Sequence, residues 1–259
     1  MNGTILASTN IYQITDASYD TTYYVRLSKS IDDGITWTHI KFFDSKTYPD
    51  LISTSYGNLF GKIIWGYYNN GFKYITTISK GTGATSRNAL AYSTNLLDWT
   101  IFGDSRYGSI FRFGDIIAVD NEIFTVGNYY TESGSRVATF RVDGQYLYLN
   151  SYSSEYSTLV SCHAYNPDLN EVLMCYDNKA VKSSLTAYAQ PLVLTPFNLP
   201  ERFTSVTYGD GKYVAYADNG PSGRYKPTNF YYSYDGITWT KVVPDEKTHT
   251  ASTIYYPRN

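Results

Sequence analysis

Three stretches of the chain place arginine beside glycine and serine, and two of them add tyrosine. They read GTGATSR at 81–87, YYTESGSR at 129–136 and NGPSGRYK at 219–226. A guanidinium holds a carboxylate or phosphate with a planar fork. A tyrosine ring offers an amphipathic surface on which a sugar can stack. Arg87, Arg136 and Arg224, with Tyr129, Tyr130 and Tyr225, are therefore the candidate ligand-binding residues. Their chemistry suits a glycan, and an anionic one best. The competing reading is three solvated arginines on surface loops, the ordinary state of that residue.

Other chemistry has little to stand on. His39, His163 and His249 are isolated in the sequence and show no metal-ligand spacing. No G-x-S-x-G, phosphate loop or nucleotide fingerprint occurs, so neither a metal nor a cofactor is expected. Cys162 and Cys175 flank the turn candidate NPDLN at 166–170 symmetrically. On a hairpin they would face one another, as two buried thiols or as a local disulfide.

The elements that must carry these residues are strands. The chain has 259 residues, 29 of them Tyr, and is rich in Thr, Ile, Val and Phe, which fit pleated, half-buried surfaces. Turn formers recur at short intervals, and no stretch shows sustained helical periodicity, so almost no helix is expected. A net charge of −2 without a basic stripe argues against a nucleic-acid partner. The start, MNGTILASTN, lacks the basic and apolar regions of a signal peptide, and no apolar run approaches the ~18 residues of a membrane span.

A motif repeats along the chain: SIDDGITW at 30–37, STNLLDW at 93–99 and SYDGITW at 233–239. Three of the four tryptophans close a copy. The expected role is a turn staple. Ser and Asp bond the turn's backbone, Gly takes a positive φ, and Trp packs the turn onto its sheet. The motif resembles the Asp-box of sialidase-like β-propellers, carried by Ser30, Asp32, Gly34, Thr36 and Trp37, by Ser93, Asn95 and Trp99, and by Ser233, Asp235, Gly236, Thr238 and Trp239. The second copy departs from it, with Asn for Asp and Leu for Gly.

A second repeat, GKYVAY at 211–216 with counterparts at 71–76, 121–126, 170–175 and, more faintly, 9–14, marks a turn feeding a strand. The two repeats together predict an all-β protein, a β-propeller of five blades, each with four antiparallel strands and the Asp-box between strands three and four. As one domain over 1–259, the blades span about 3–42, 61–103, 108–150, 157–199 and 202–243, with a possible closing strand in 244–259. The third box is degenerate at 141–147, and the fourth is eroded around 184–194. Boxes then mark one face of the disc. The arginine loops, between strands two and three, mark the other, together with the links between blades.

The pairing of TYGDGKYVAYA with YSYDGITWTKV is similar to phage tail and receptor-binding propellers. That resemblance implies a non-catalytic virion protein, made in the host cytoplasm, that binds a host surface glycan or cell-wall polymer and docks other virion proteins. A structural propeller that docks virion or cellular proteins is one alternative. A sialidase-like glycoside hydrolase is the other. Its family needs an arginine cluster, a Tyr nucleophile with Glu, and an Asp acid. Of these only Phe111-Arg112-Phe113-Gly114 is faintly similar, so no catalytic residue is expected and the reading is of a non-enzyme.

Overall fold

Alternating β-branched, aromatic and polar residues produce strands wherever the chain is described, and short Asn/Asp/Gly turns reverse it between them. The computed structural model describes residues 5–8, 12–15, 17–18, 21–47, 63–68, 70–80, 87–102, 104–105, 111–131, 133–143, 146–157, 159–217 and 229–242. No helix occurs among them. The chain divides into two compact units, one of residues 1–125 and 141–148, the other of 126–140 and 149–259.

The first sheet holds β1 (Ile5–Ser8), β2 (Tyr12–Thr15), β3 (Thr21–Ser30) and β4 (Thr38–Asp44). The second holds β5 (Ile64–Tyr67), β6 (Phe72–Lys80), β7 (Arg87–Ser93) and β8 (Thr100–Phe102). The third is built on β10 (Phe111–Val119), β11 (Glu122–Thr131), β12 (Gly134–Asp143) and β13 (Tyr146–Ser153), preceded by the two-residue β9 (Asp104–Ser105). The fourth contains β14 (Cys162–Asn166), β15 (Glu171–Tyr176) and β16 (Lys179–Ser184), and after β17 (Leu192–Leu194) it closes with β18 (Phe197–Asn198). The fifth is β19 (Phe203–Gly209), β20 (Lys212–Ala217), β21 (Asn229–Ser233) and β22 (Thr240–Val242). In the second, fourth and fifth sheets four strands pair in chain order and antiparallel throughout, as the repeats predict.

Turn chemistry explains this regularity. Asn70, Asp120, Asn170, Asp177 and Asp210 all take positive φ at hairpin turns. Asn and Asp tolerate that conformation because a short polar side chain can bond the local backbone. In the β14–β15 hairpin, Cys162 and Cys175 are direct partners, and both are free thiols. Gly66 serves close packing instead. A Cβ there would lie 2.9 Å from the Ala118 side chain and 3.1 Å from that of Ile123, so β5 approaches the third sheet closely only with glycine.

Two sheets correct the expectation of uniform four-stranded units. In the first, β1 and β2 lie along the same edge of β3, Ile5 opposite Ser30 and Tyr12 opposite Tyr24, with β4 on the other edge. They are two pieces of one strand line, so this sheet has three lines of strand among the described residues. In the third, β9 and β17 run parallel to β13, pairing with Tyr146–Leu147 and with residues 151–153. An edge strand with unpaired backbone groups is a liability, and these additions cover it. They also explain the missing boxes. The chain that would have turned at 184–194 instead carries β17 out to β13 and returns as β18. Only two residues separate β12 from β13, too few for a box at 141–147.

The turns at 30–37, 93–99 and 233–239 share one network. Ser30, Ser93 and Ser233 each receive an amide, from Gly34 at 2.9 Å, Leu96 at 2.8 Å and Gly236 at 2.8 Å. Asp32, Asn95 and Asp235 each receive the Ser hydroxyl and amides further round the turn. Each Trp indole closes the turn on the carbonyl of Gly34, Leu96 or Gly236, at 3.0, 3.3 and 3.2 Å. Gly34 and Gly236 take φ of 89° and 72°, as expected. Leu96 takes 65° without being glycine. Its side chain is buried in the core of Val25, Leu27, Phe43 and Ile78, which offsets the strain of about 1–2 kcal/mol for that conformation.

Candidate functional site

The site forms where the 2–3 loop of the third sheet meets the segment that follows β13. Gly134 opens β12 with φ of 142°, and a Cβ on it would sit 3.0 Å from the Tyr156 ring. Glycine there lets the ring lie against the strand. The Ser157 amide bonds the Ser135 carbonyl at 2.7 Å and fixes the segment alongside β12. Asn128 donates to the Ser135 hydroxyl at 3.0 Å and accepts the Val160 amide at 3.1 Å, tying the same segment to β11.

Arg136 is the centre of this arrangement. Its Nη1 donates to the carbonyls of Ser153 at 2.9 Å and Ser154 at 2.7 Å. Its guanidinium carbon lies 4.4 Å from the centroid of the Tyr156 ring and 5.5 Å from that of Tyr152. Tyr129 lies beyond, 6.2 Å from Tyr152 between ring centroids. The result is a ledge in which Tyr152 and Tyr156 flank one cation and Tyr129 lies against Tyr152, with Tyr156 51% exposed. Hydrogen bonding to Ser133 first, then to Arg136, holds the Tyr156 phenol below the ordinary tyrosine range. Beside it, Glu155 forms an ion pair with Lys179, and its carboxylate holds the lysine above its usual value. Tyr176 bonds the Ser153 hydroxyl at 3.2 Å, and burial pushes its phenol up.

Of the six candidate ligand residues, Arg136 and Tyr129 fall among the described side chains, and both contact Tyr152. Arg87 begins β7 and Tyr130 lies in β11, but their side chains are outside the described residues, as are Arg224 and Tyr225 altogether. The sequence reading missed Tyr152, Glu155, Tyr156 and Lys179. Residues 151–156 fell in the link between two expected blades. The signal was available, because links and 2–3 loops share one end of an antiparallel sheet, and SYSSEYS is the tyrosine-bearing link next to Arg136.

A second polar cluster occupies the turn end of the fourth and fifth sheets. Lys182 pairs with Glu171 at 2.7 Å and donates to the Asp235 carbonyl at 2.8 Å. The Tyr208 hydroxyl donates to Asp168 at 2.5 Å, and that carboxylate pushes the Tyr208 phenol up to about 12. Desolvation raises the neighbouring Tyr213 phenol. Lys182 thereby braces the turn at 233–239. Among the described residues no three His, Cys, Asp or Glu gather as a metal site.

Neither a family model nor a curated protein matches this chain. Solved structures do. One is a glycoside hydrolase of the GH130 mannoside phosphorylase family that targets β-1,2 mannosidic linkages in Candida mannan. It is 16% identical over 97% of this chain and 83% of its own, at a TM-score of 0.45. A thermostable family-43 glycoside hydrolase is 15% identical over 96% of both chains, also at 0.45. Aleuria aurantia lectin, in complex with Fucα1-6GlcNAc, is 12% identical over 91% of this chain and 78% of its own, at 0.45. These matches overturn two expectations, the virion receptor-binding module and the non-enzyme. What the chain is similar to is a group of glycoside hydrolases and a lectin. At such identities the likeness is one of fold and carries no residue role across.

Proposed function

We propose that this protein is a carbohydrate-active β-propeller that cleaves a glycosidic bond on the Tyr156–Arg136 ledge. The propeller reading is supported by five sheets following one another along the chain, three of them closing with the same Ser-Asp/Asn-Trp turn. It retains the expected Asp-box kinship for those turns.

The observation that carries the activity is Tyr156, a half-exposed phenol made more acidic by Ser133 and Arg136. Tyrosine serves as the nucleophile in one recognised class of glycosidases. In that role the Tyr156 phenolate oxygen bonds to the anomeric carbon as the bond to the leaving oxygen breaks, and a solvent water gives that oxygen its proton. Water then displaces the tyrosine and releases the sugar. Arg136 favours the phenolate by its charge. Its Nη1 is committed to the Ser153 and Ser154 carbonyls, so it also holds the ledge in shape. The rings of Tyr152 and Tyr129 supply stacking surface for the sugar.

The test is release of the aglycone from a panel of aryl glycosides, neutral and anionic, by the wild type and by Tyr156→Phe. The substitution keeps the ring and removes the nucleophile. Hydrolysis lost with folding intact is the expected result. Full activity in the variant removes Tyr156 from the chemistry, and no release from any glycoside by the wild type overturns the reading.

A further inference from the structure

The fourth tryptophan, Trp65, belongs to no box turn. It lies on β5 directly opposite Tyr74 of β6, and Tyr67 lies opposite Phe72. Strand alternation puts these four on one face of the hairpin and Gly66 and Lys73 on the other. The rings form one set. Trp65 meets Tyr74 edge-on at 4.5 Å between centroids, and Phe72 meets Tyr67 edge-on at 5.5 Å. Trp65 and Phe72 lie 11° from parallel, 6.1 Å apart. Tyr74 packs on the core of Val25, Leu27 and Phe43 and anchors the set, while Trp65 is 36% and Phe72 58% exposed.

Size and charge decide what this surface suits. Aromatic side chains present about 150–250 Å² each, so the exposed parts of Trp65 and Phe72 sum to on the order of 200 Å². A stable protein interface, including one with a second copy, takes about 800 Å² per partner. The platform fits a small rigid ligand instead. The exposed rings are those of Trp65 and Phe72, which carry no ionisable group, and Lys73 reaches the Tyr92 ring, 5.4 Å from its centroid. An anion therefore has no partner in this set. A pyranose has an apolar C–H face to lay on a ring and hydroxyls at its edge for water or a phenol.

We infer that Trp65 and Phe72 form a platform for neutral hexopyranose units of a glycan, with Tyr67 and Tyr74 as its supports. The inference takes only the class of ligand from the reading above and uses none of its residues. The full-length chain is titrated with hexasaccharides of glucose, mannose and N-acetylglucosamine while tryptophan fluorescence is followed. At least one sugar gives a saturable change, and Trp65→Phe abolishes that change. Phe72→Ala weakens the affinity by about tenfold with an unchanged melting temperature. Tyr156→Phe leaves the binding as it was, so loss of hydrolysis and loss of this site are read separately. No saturable change with any of the three sugars overturns the inference, as does unaltered affinity in Phe72→Ala. A dimer that Phe72→Ala dissolves, without a sugar response, assigns the platform to a second copy and overturns it too.

Discussion

The turns at 30–37 and 233–239 have nearly the same sequence and share the bonds of Ser to Asp, of the Gly amide to Ser, of the Thr amide to Asp and of the indole to the Gly carbonyl, yet they stand on different ground. In the fifth sheet Trp239 lies edge-on to Phe203 at 4.7 Å and 6.3 Å from Tyr213. It joins a core that also holds Cys175, Val206 and Ala215. In the first sheet Trp37 remains 46% exposed, although its indole makes the shorter bond to the turn carbonyl. A local network therefore folds the turn, and the packing beneath decides how much that turn contributes to stability.

Replacing each tryptophan measures that difference most directly. Trp239→Ala should destabilise by ~3 kcal/mol or more, the range for removing a large aromatic from a core. Trp37→Ala should cost ~1 kcal/mol, in keeping with its exposure. Denaturant unfolding of both variants checks the contrast, and equal losses would show that the turn network outweighs the packing. A smaller effect comes from Asp235→Ala, which removes the acceptor of the Ser233 hydroxyl and of the Ile237 and Thr238 amides. It should cost ~1–2 kcal/mol. Asp235→Asn should cost less, because Asn95 builds the same turn with an amide.

The smallest effect is the one that pH reads. Asp32 is held at about 2, against an ordinary 3.8, by the Thr36 side chain, the Ser30 hydroxyl and the Thr36 amide. For Asp235 slight burial opposes ionisation, and the Thr238 and Ile237 amides with Ser233 outweigh it, again giving about 2. A carboxyl depressed on folding stabilises fully above its unfolded value and loses that contribution as pH falls through its folded one. Unfolding followed between pH 5 and 2 should therefore show stability falling below about 4. Asp235→Asn should flatten that limb by one carboxylate. A limb unchanged in the variant would place the acid sensitivity elsewhere.

Much of this architecture was legible because its determinants are local. The Ser-Asp-Gly-Trp spacing builds a turn from bonds within eight residues, and an Asn or Asp at positive φ sets each hairpin turn. Strand order in the second and fifth sheets and the facing of Cys162 with Cys175 follow from these local signals. Leu96 shows where local rules give way, since a buried side chain compensates a backbone that glycine would have served.

The rest depends on contacts between residues distant in the chain. Covering the β13 edge draws β17 out of its own unit, and no periodicity announces that crossing. Arg136 was legible as a candidate, but its partners were not. Tyr152 and Tyr156 reach it only because β12 and β13 pair and the following segment bonds back to Ser135. The sequence by itself determined the all-β repeat, its turns and the residue types available for sugar chemistry. The tertiary structure alone decided which arginine sits among tyrosines, which phenol is polarised, and that Trp65 and Phe72 form one exposed face, because each of these depends on strand pairing and burial.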